Sequence, residues 1–230
     1  RTGEAVRRSC HDTRGGEPQA PEGHEGGNTR YCGQIFVYGG ENEEATLEYY
    51  KVLAGQHEIP EAMLEVYTKQ IAHMYDVVSD LFGIDKSQFV DLTDSPLGSM
   101  SPEYPEFPGA ENISLAVLHD GYADSFLWQQ MRKLVTDRSE QIDVWFESPA
   151  THLIQDPATK TILGVQVERG GETLNIRADN GVVLSCGGFE NNREMLANYL
   201  GVTKSNPIGS TYNTGDGITM AMEAGADLWH

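Results

Sequence analysis

Apolar residues recur along this chain with two different periods. Over residues 60–82, Met63, Tyr67, Ile71, Met74, Val78 and Leu81 fall at spacings of four, four, three, four and three, the repeat of one helix face. Pro60 suits a first helical turn, where a missing N–H costs nothing, and Gly83 supplies a stop. A weaker helical pattern covers residues 43–54, and a third helix over 123–138 turns Leu127, Met131, Leu134 and Val135 inward. Residues 143–146, 150–155, 162–168, 173–178 and 181–184 read as strands, and Arg169-Gly170-Gly171-Glu172 joins two of them as a tight hairpin, because a Gly-Gly pair supplies positive φ. Helices over 193–199 and 217–224 close an α/β layout.

One stretch stands out for what its end offers. Val182-Val183-Leu184 is a continuous aliphatic run, the pattern of a strand covered on both faces, and it leads through Ser185 and Cys186 into Gly187-Gly188. Glycines at a strand's carboxyl end let another group approach the backbone, and ligands of open α/β sheets sit at such ends. A plain strand-to-loop exit with tight turning fits the same letters.

Two segments lack a periodic pattern. Residues 85–112 are rich in Ser, Pro, Gly and acids and read as a long surface excursion, of the kind that serves as a lid or partner contact. Residues 1–25 hold few aliphatics and no helical or strand period, so disorder is expected there.

Composition narrows the partners. The 230 residues carry 35 acids against 16 lysines and arginines, a formal charge of −19, which argues against nucleic acid or an anionic membrane. A phosphate ligand stays open, since backbone amides and helix N-termini hold anions without side-chain charge. No apolar stretch approaches the length of a bilayer span, and no apolar signal core is seen, so the reading is cytoplasmic. Cys10, Cys32 and Cys186 have neither metal nor disulfide spacing, and His24, His57, His73, His119, His152 and His230 show no metal pattern, so no metal site is expected.

Three separated segments, in order, resemble a known family. They are Glu25-Gly26-Gly27-Asn28-Thr29-Arg30-Tyr31-Cys32-Gly33-Gln34; then Phe146 to Ile154 with Ile162 to Val167; then Ser185-Cys186-Gly187-Gly188-Phe189 with Asn213-Thr214-Gly215-Asp216-Gly217-Ile218 and Ala224-Gly225-Ala226. Together they look like the FAD-binding domain of the fumarate reductase and succinate dehydrogenase flavoprotein superfamily. Its soluble members include fumarate and urocanate reductases, tricarballylate dehydrogenase and 3-ketosteroid Δ1-dehydrogenases.

The resemblance implies FAD as cofactor and assigns roles. Gly26, Gly27, Asn28 and Thr29 match the segment that wraps pyrophosphate and flavin edge, with glycine amides and side-chain donors facing the ligand. Cys32, Gly33 and Gln34 match residues near the flavin ring, with Gln34 where relatives often have glycine. Ala150 matches a position whose backbone reads adenine. Cys186, Gly187 and Gly188 stand at the strand end, and Asp216 matches a cofactor contact at a helix start, where an Asp also caps well.

The family's opening strand and G-x-G-x-x-G turn, with its ribose-holding acid, are not found before Gly26, and the segment from Arg1 to Pro18 carries no strand pattern. The chain is therefore read as a partial Rossmann-like FAD-binding domain over 21–230, with a small antiparallel sheet and a helical excursion, behind an aberrant or disordered segment over 1–20. It lacks the first strand-turn unit and the cap domain, as a fragment of a longer flavoenzyme would. No catalytic residue is assigned, because the family draws its substrate clamp and proton donor from later segments. The implied parent transfers a hydride between flavin and a substrate carbon–carbon bond, with a small-molecule substrate and an unspecified electron donor. Phe189 to Glu194 and the Gly-Gly-Asn-Thr segment lean toward a fumarate-reductase-like enzyme acting on a dicarboxylate. A 3-ketosteroid Δ1-dehydrogenase-like enzyme acting on a steroid, and a non-catalytic remnant with impaired FAD binding, remain the alternatives.

Overall fold

The computed structural model describes residues 8–10, 25–96, 98, 101–121 and 124–228. The chain divides into two compact units, one of residues 32–131 and one that joins the chain up to residue 31 with residues 132–230.

In the first unit a three-stranded antiparallel sheet has the order β2-β4-β3, from β2 (Phe36–Gly39), β3 (Val90–Asp91) and β4 (Ile113–Val117). Neither β2 nor β4 is foreseen by the hydropathy reading. Both are short apolar runs without alternation, since Ala116, Val117 and Leu118 are all buried, and β3 falls inside the expected surface excursion. That excursion is thus partly core, with Leu92 and Ala110 buried.

Helix α2 (Glu43–Ala54) has the expected bounds, and its N-cap Asn42 accepts a bond from the Ala45 N–H. The expected single helix over 60–82 is two, α3 (Glu61–Ala72) and α4 (Met74–Phe82). The ladder slips to a three-residue bond from His73 N to Gln70 O, and the chain restarts from His73. The buried face also differs from the expected one. Met74 and Val78 are buried as expected, but Met63, Tyr67 and Leu81 are exposed, and the buried residue of α3 is Thr68, whose hydroxyl donates to Leu64 O. Gly83 ends α4 in the left-handed conformation, as its position suggests. Met74, Val78, Ile84, Ala116, Leu118 and Leu127 form the core of this unit.

Helix α5 (Phe126–Thr136) begins later than expected, after Ser125 at φ +63°; its buried residue is Leu127, and Met131 is exposed.

The second unit holds the antiparallel sheet β6 (Ala150–Gln155), β7 (Ile162–Arg169), β8 (Glu172–Arg177), in that order. Gly170 and Gly171, at φ +59° and +83°, make the β7–β8 turn that the sequence calls for. Ala150, Val165, Val167 and Met220 form its core, with Cys186 packed on them. Helix α6 (Arg193–Leu200) is capped by Asn192 and ended by Gly201, and α7 (Asp216–Glu223) is pinned to β6 by Gln155 Nε2 donating to Ala224 O at 2.9 Å.

Two expectations are corrected here. The segment before residue 20 does contain a strand: β1 (Arg8–Cys10) pairs in parallel with β5 (Ile142–Val144). Three residues pair through backbone alone, which needs no hydropathy signal. Disorder over the rest of residues 1–24 lies outside the described residues. Residues 181–189 form no strand, and Val183 is 87% exposed, so this aliphatic run is not a buried strand. Cys186 and the bond from Gly215 N to Gly188 O tie the segment down instead.

Candidate functional site

The site grows from a short helix, α1 (Gly27–Tyr31), entered through Gly26 at φ +115° and Gly27 at φ +51°. A Cβ added at Gly27 would meet no atom of the described residues within 4 Å. The backbone there is open, and only φ demands glycine.

Asn28 carries the next step. Its Nδ2 donates to Glu190 Oε1 at 2.8 Å, and its Oδ1 accepts from the Ser210 N–H at 2.8 Å. Asn213, which is 3% exposed, donates from Nδ2 to the same Glu190 oxygen at 2.6 Å. Asn191 N donates to Asn213 O, Asn191 Nδ2 to Ser210 O, and Asn192 Nδ2 to Thr214 O. Two stretches that the sequence singles out, 26–29 and 187–190, therefore meet through amide side chains.

The glycines at the second stretch admit those side chains. A Cβ on Gly187 would lie 2.5 Å from Asn213 Oδ1, one on Gly188 2.8 Å from Glu190 Oε2, and one on Gly209 2.3 Å from Asn28 Oδ1. Burial acts to raise the Glu190 carboxyl, but bonds from Asn213, its own backbone N–H and Asn28 outweigh it and hold the group below its ordinary range.

Cys186 borders a cavity of about 250 Å³ lined also by Leu184, Gly187, Gly217, Ile218 and Met222. A Cβ on Gly217 would sit 3.1 Å from Cys186 Cβ. Ala150 is buried in the core beneath. Asp216 is the first residue of α7 and not its cap: Gly215 holds that position, and the Asp216 carboxylate accepts from Thr214 Oγ1 at 3.2 Å. An acid in the first turn still faces the positive end of the helix dipole.

Cys32, Gly33 and Gln34 belong to the other unit. Gln34 is 2% exposed at φ +61°, and its side chain is committed to the start of α5, donating to Asp124 Oδ1 at 2.7 Å and accepting from Leu127 N at 2.5 Å. The Gln34 amide, countered in part by burial, holds the Asp124 carboxyl below its ordinary range, and bonds from the Phe126 N–H and His119 add to the effect. Cys32 packs against the Met74–Leu127 core. Any ligand contact at Gln34 would fall to its backbone.

The hydropathy reading passes over the network itself. Glu190 stands two residues after the Gly187-Gly188 pair and Ser210 directly after Gly209, the one signal that could have marked them. Among the described residues no group of His, Cys, Asp and Glu could hold a metal, and no helix is long and apolar enough to cross a membrane.

A family model described as an FAD binding domain matches residues 24–230. The chain belongs to that family. FAD is accordingly its cofactor, and the α/β architecture with small antiparallel sheets fits the FAD-binding fold. In local stretches the chain is similar to 3-oxosteroid 1-dehydrogenase of Comamonas testosteroni, 39% identical over 83 residues, which is 34% of this chain and 14% of that protein. Its likeness to the Mycobacterium tuberculosis protein of the same name is 47% over 55 residues, 23% of this chain and 10% of that one.

Among solved structures, 3-ketosteroid Δ1-dehydrogenase from Sterolibacterium denitrificans shares the fold with a TM-score of 0.64 at 19% identity, over 88% of this chain and 49% of that one. The open conformation of a flavocytochrome c3 fumarate reductase matches with a TM-score of 0.64 at 20% identity, over 89% of this chain and 35% of that one. The chain matches about half the length of the first of these structures and about a third of the second, and its local stretches of identity cover a seventh or less of the curated relatives.

The residues present fit part of such a group. Gly27 leaves open backbone where phosphate could approach, Asn28 and Thr29 follow it in α1, and the cavity at Cys186 has room for one ring system, not for a whole dinucleotide.

Proposed function

We propose that this chain is the cofactor-binding part of an FAD-dependent oxidoreductase acting on a carbon–carbon single or double bond. The match of the FAD-binding family over residues 24–230 carries this reading. Gly26, Gly27, Asn28 and Thr29 hold the cofactor by backbone amides and side-chain donors, and Cys186, Gly187, Gly188 and Asp216 border it from the α7 side. Ala150 lends backbone groups. Bound FAD supplies hydride transfer at the flavin. This chain's own residues bind and orient; none of them is assigned to move the substrate proton.

The substrate is a small molecule of one of two kinds. The lean toward a dicarboxylate rests on Phe189 to Glu194 and the Gly-Gly-Asn-Thr segment, and the fumarate reductase likeness in fold is compatible with it. The local identity to two 3-oxosteroid 1-dehydrogenases favours a steroid as second reading.

The purified chain, supplied with FAD and freed of excess, should retain the visible bands of bound oxidised flavin. A colourless protein that leaves the fluorescence of added FAD unchanged overturns the reading in favour of a non-catalytic remnant.

A further inference from the structure

We propose that Glu190 is a positioning residue for the cofactor site, fixing Asn28 and the 209–213 loop in one arrangement so that the open backbone at Gly27 is presented to FAD. The proposal rests on the FAD reading and deepens it. Its geometry is independent of any ligand.

Glu190 Oε1 receives two amide donors from distant parts of the chain, Asn28 at 2.8 Å and Asn213 at 2.6 Å. A carboxylate only accepts, so both asparagines must point nitrogen at it and oxygen away. That choice leaves Asn28 Oδ1 free for the Ser210 N–H, which it accepts at 2.8 Å, and aims Asn213 Oδ1 at Gly187. One oxygen atom therefore sets the orientation of two amides, and through them the position of three backbone segments.

The surrounding backbone is shaped for this and no larger contact. Gly187, Gly188 and Gly209 each lack a Cβ where Asn213, Glu190 and Asn28 respectively would be struck. Asn213 and Ser210 are buried at 3% and 4% exposure, so their polar atoms depend on partners within the protein. Remove the shared acceptor and Asn28 can rotate, releasing Ser210 and loosening the turn that precedes it.

The test compares the parent with Glu190→Gln and Glu190→Ala in two measurements. The first is FAD affinity by quenching of flavin fluorescence. The second is hydrogen exchange of the Ser210 amide without FAD. Gln keeps an oxygen at Oε1 that can accept both amides; Ala does not.

The expected result for E190Q is FAD binding within about threefold of the parent, with Ser210 exchange nearly unchanged. For E190A, binding weakens about tenfold and Ser210 exchanges about tenfold faster, the loss expected for hydrogen bonds to a charged acceptor in a partly exposed site. E190A that matches the parent in both measurements overturns the proposal, as does E190Q that fails as badly as E190A. A parent that binds no FAD sinks the functional reading alone, because Ser210 exchange still decides what Glu190 does.

Discussion

The two glycine stretches of this domain are alike in sequence and opposite in surroundings. At Gly27 an added Cβ would enter open space, and at Gly187 it would strike the amide of a buried asparagine at 2.5 Å. The second stretch is glycine because the protein fills the space itself. The first has no such reason beyond its φ of +51°, and that makes it the better candidate for a surface kept bare for a ligand.

The contrast is most sharply broken by Gly187→Val. A branched side chain at φ +74° must displace Asn213, so this variant should lose about 3 kcal/mol or more of stability, read as a lower urea midpoint. Loss of FAD in it would then report damage to the network and not removal of a ligand contact. An unchanged midpoint would show that Asn213 yields easily, and the distinction between the two stretches would vanish.

A second, smaller effect belongs to Asp124 of the other unit, which ties Gln34 to the start of α5. Its folded pKa is lowered, so its contribution is fully present above the ordinary value of 3.8 and fades as pH falls through the lower folded value. Acid titration of Asp124→Asn should accordingly show a shallower loss of stability below that ordinary value than the parent shows. Identical acid profiles would mean that the bond from Gln34 contributes nothing to the unit, and that Gln34 is not committed as described.

Much of the fold was legible, and the reasons are local. Gly170-Gly171 can make only a tight turn, and Gly83 ends a helix by its own freedom to adopt positive φ. Where the reading fails, the cause is distant. No residue near His73 announces that the helix breaks there, and the apolar letters of Met63 and Tyr67 did not show that α3 turns that face to solvent. Val182 to Leu184 looked like a buried strand because its letters are aliphatic, but a strand needs a partner to pair with, and Val183 faces solvent. The site divides in the same way. The family segments could be found in the sequence, whereas the reason for Gly187, Gly188 and Gly209 lies in side chains of Asn213, Glu190 and Asn28 that only folding brings near.

The smallest change to the fold gives the most direct test of the claim that the bare turn faces FAD. Gly27→Ala places one methyl group in open space and costs only the strain of φ +51°, about 1–2 kcal/mol of stability. If FAD lies against that backbone, titration of this variant by flavin fluorescence should show affinity reduced about tenfold or more while the protein remains folded. A folded Gly27→Ala protein that binds FAD as tightly as the parent would contradict the placement of the cofactor at this turn.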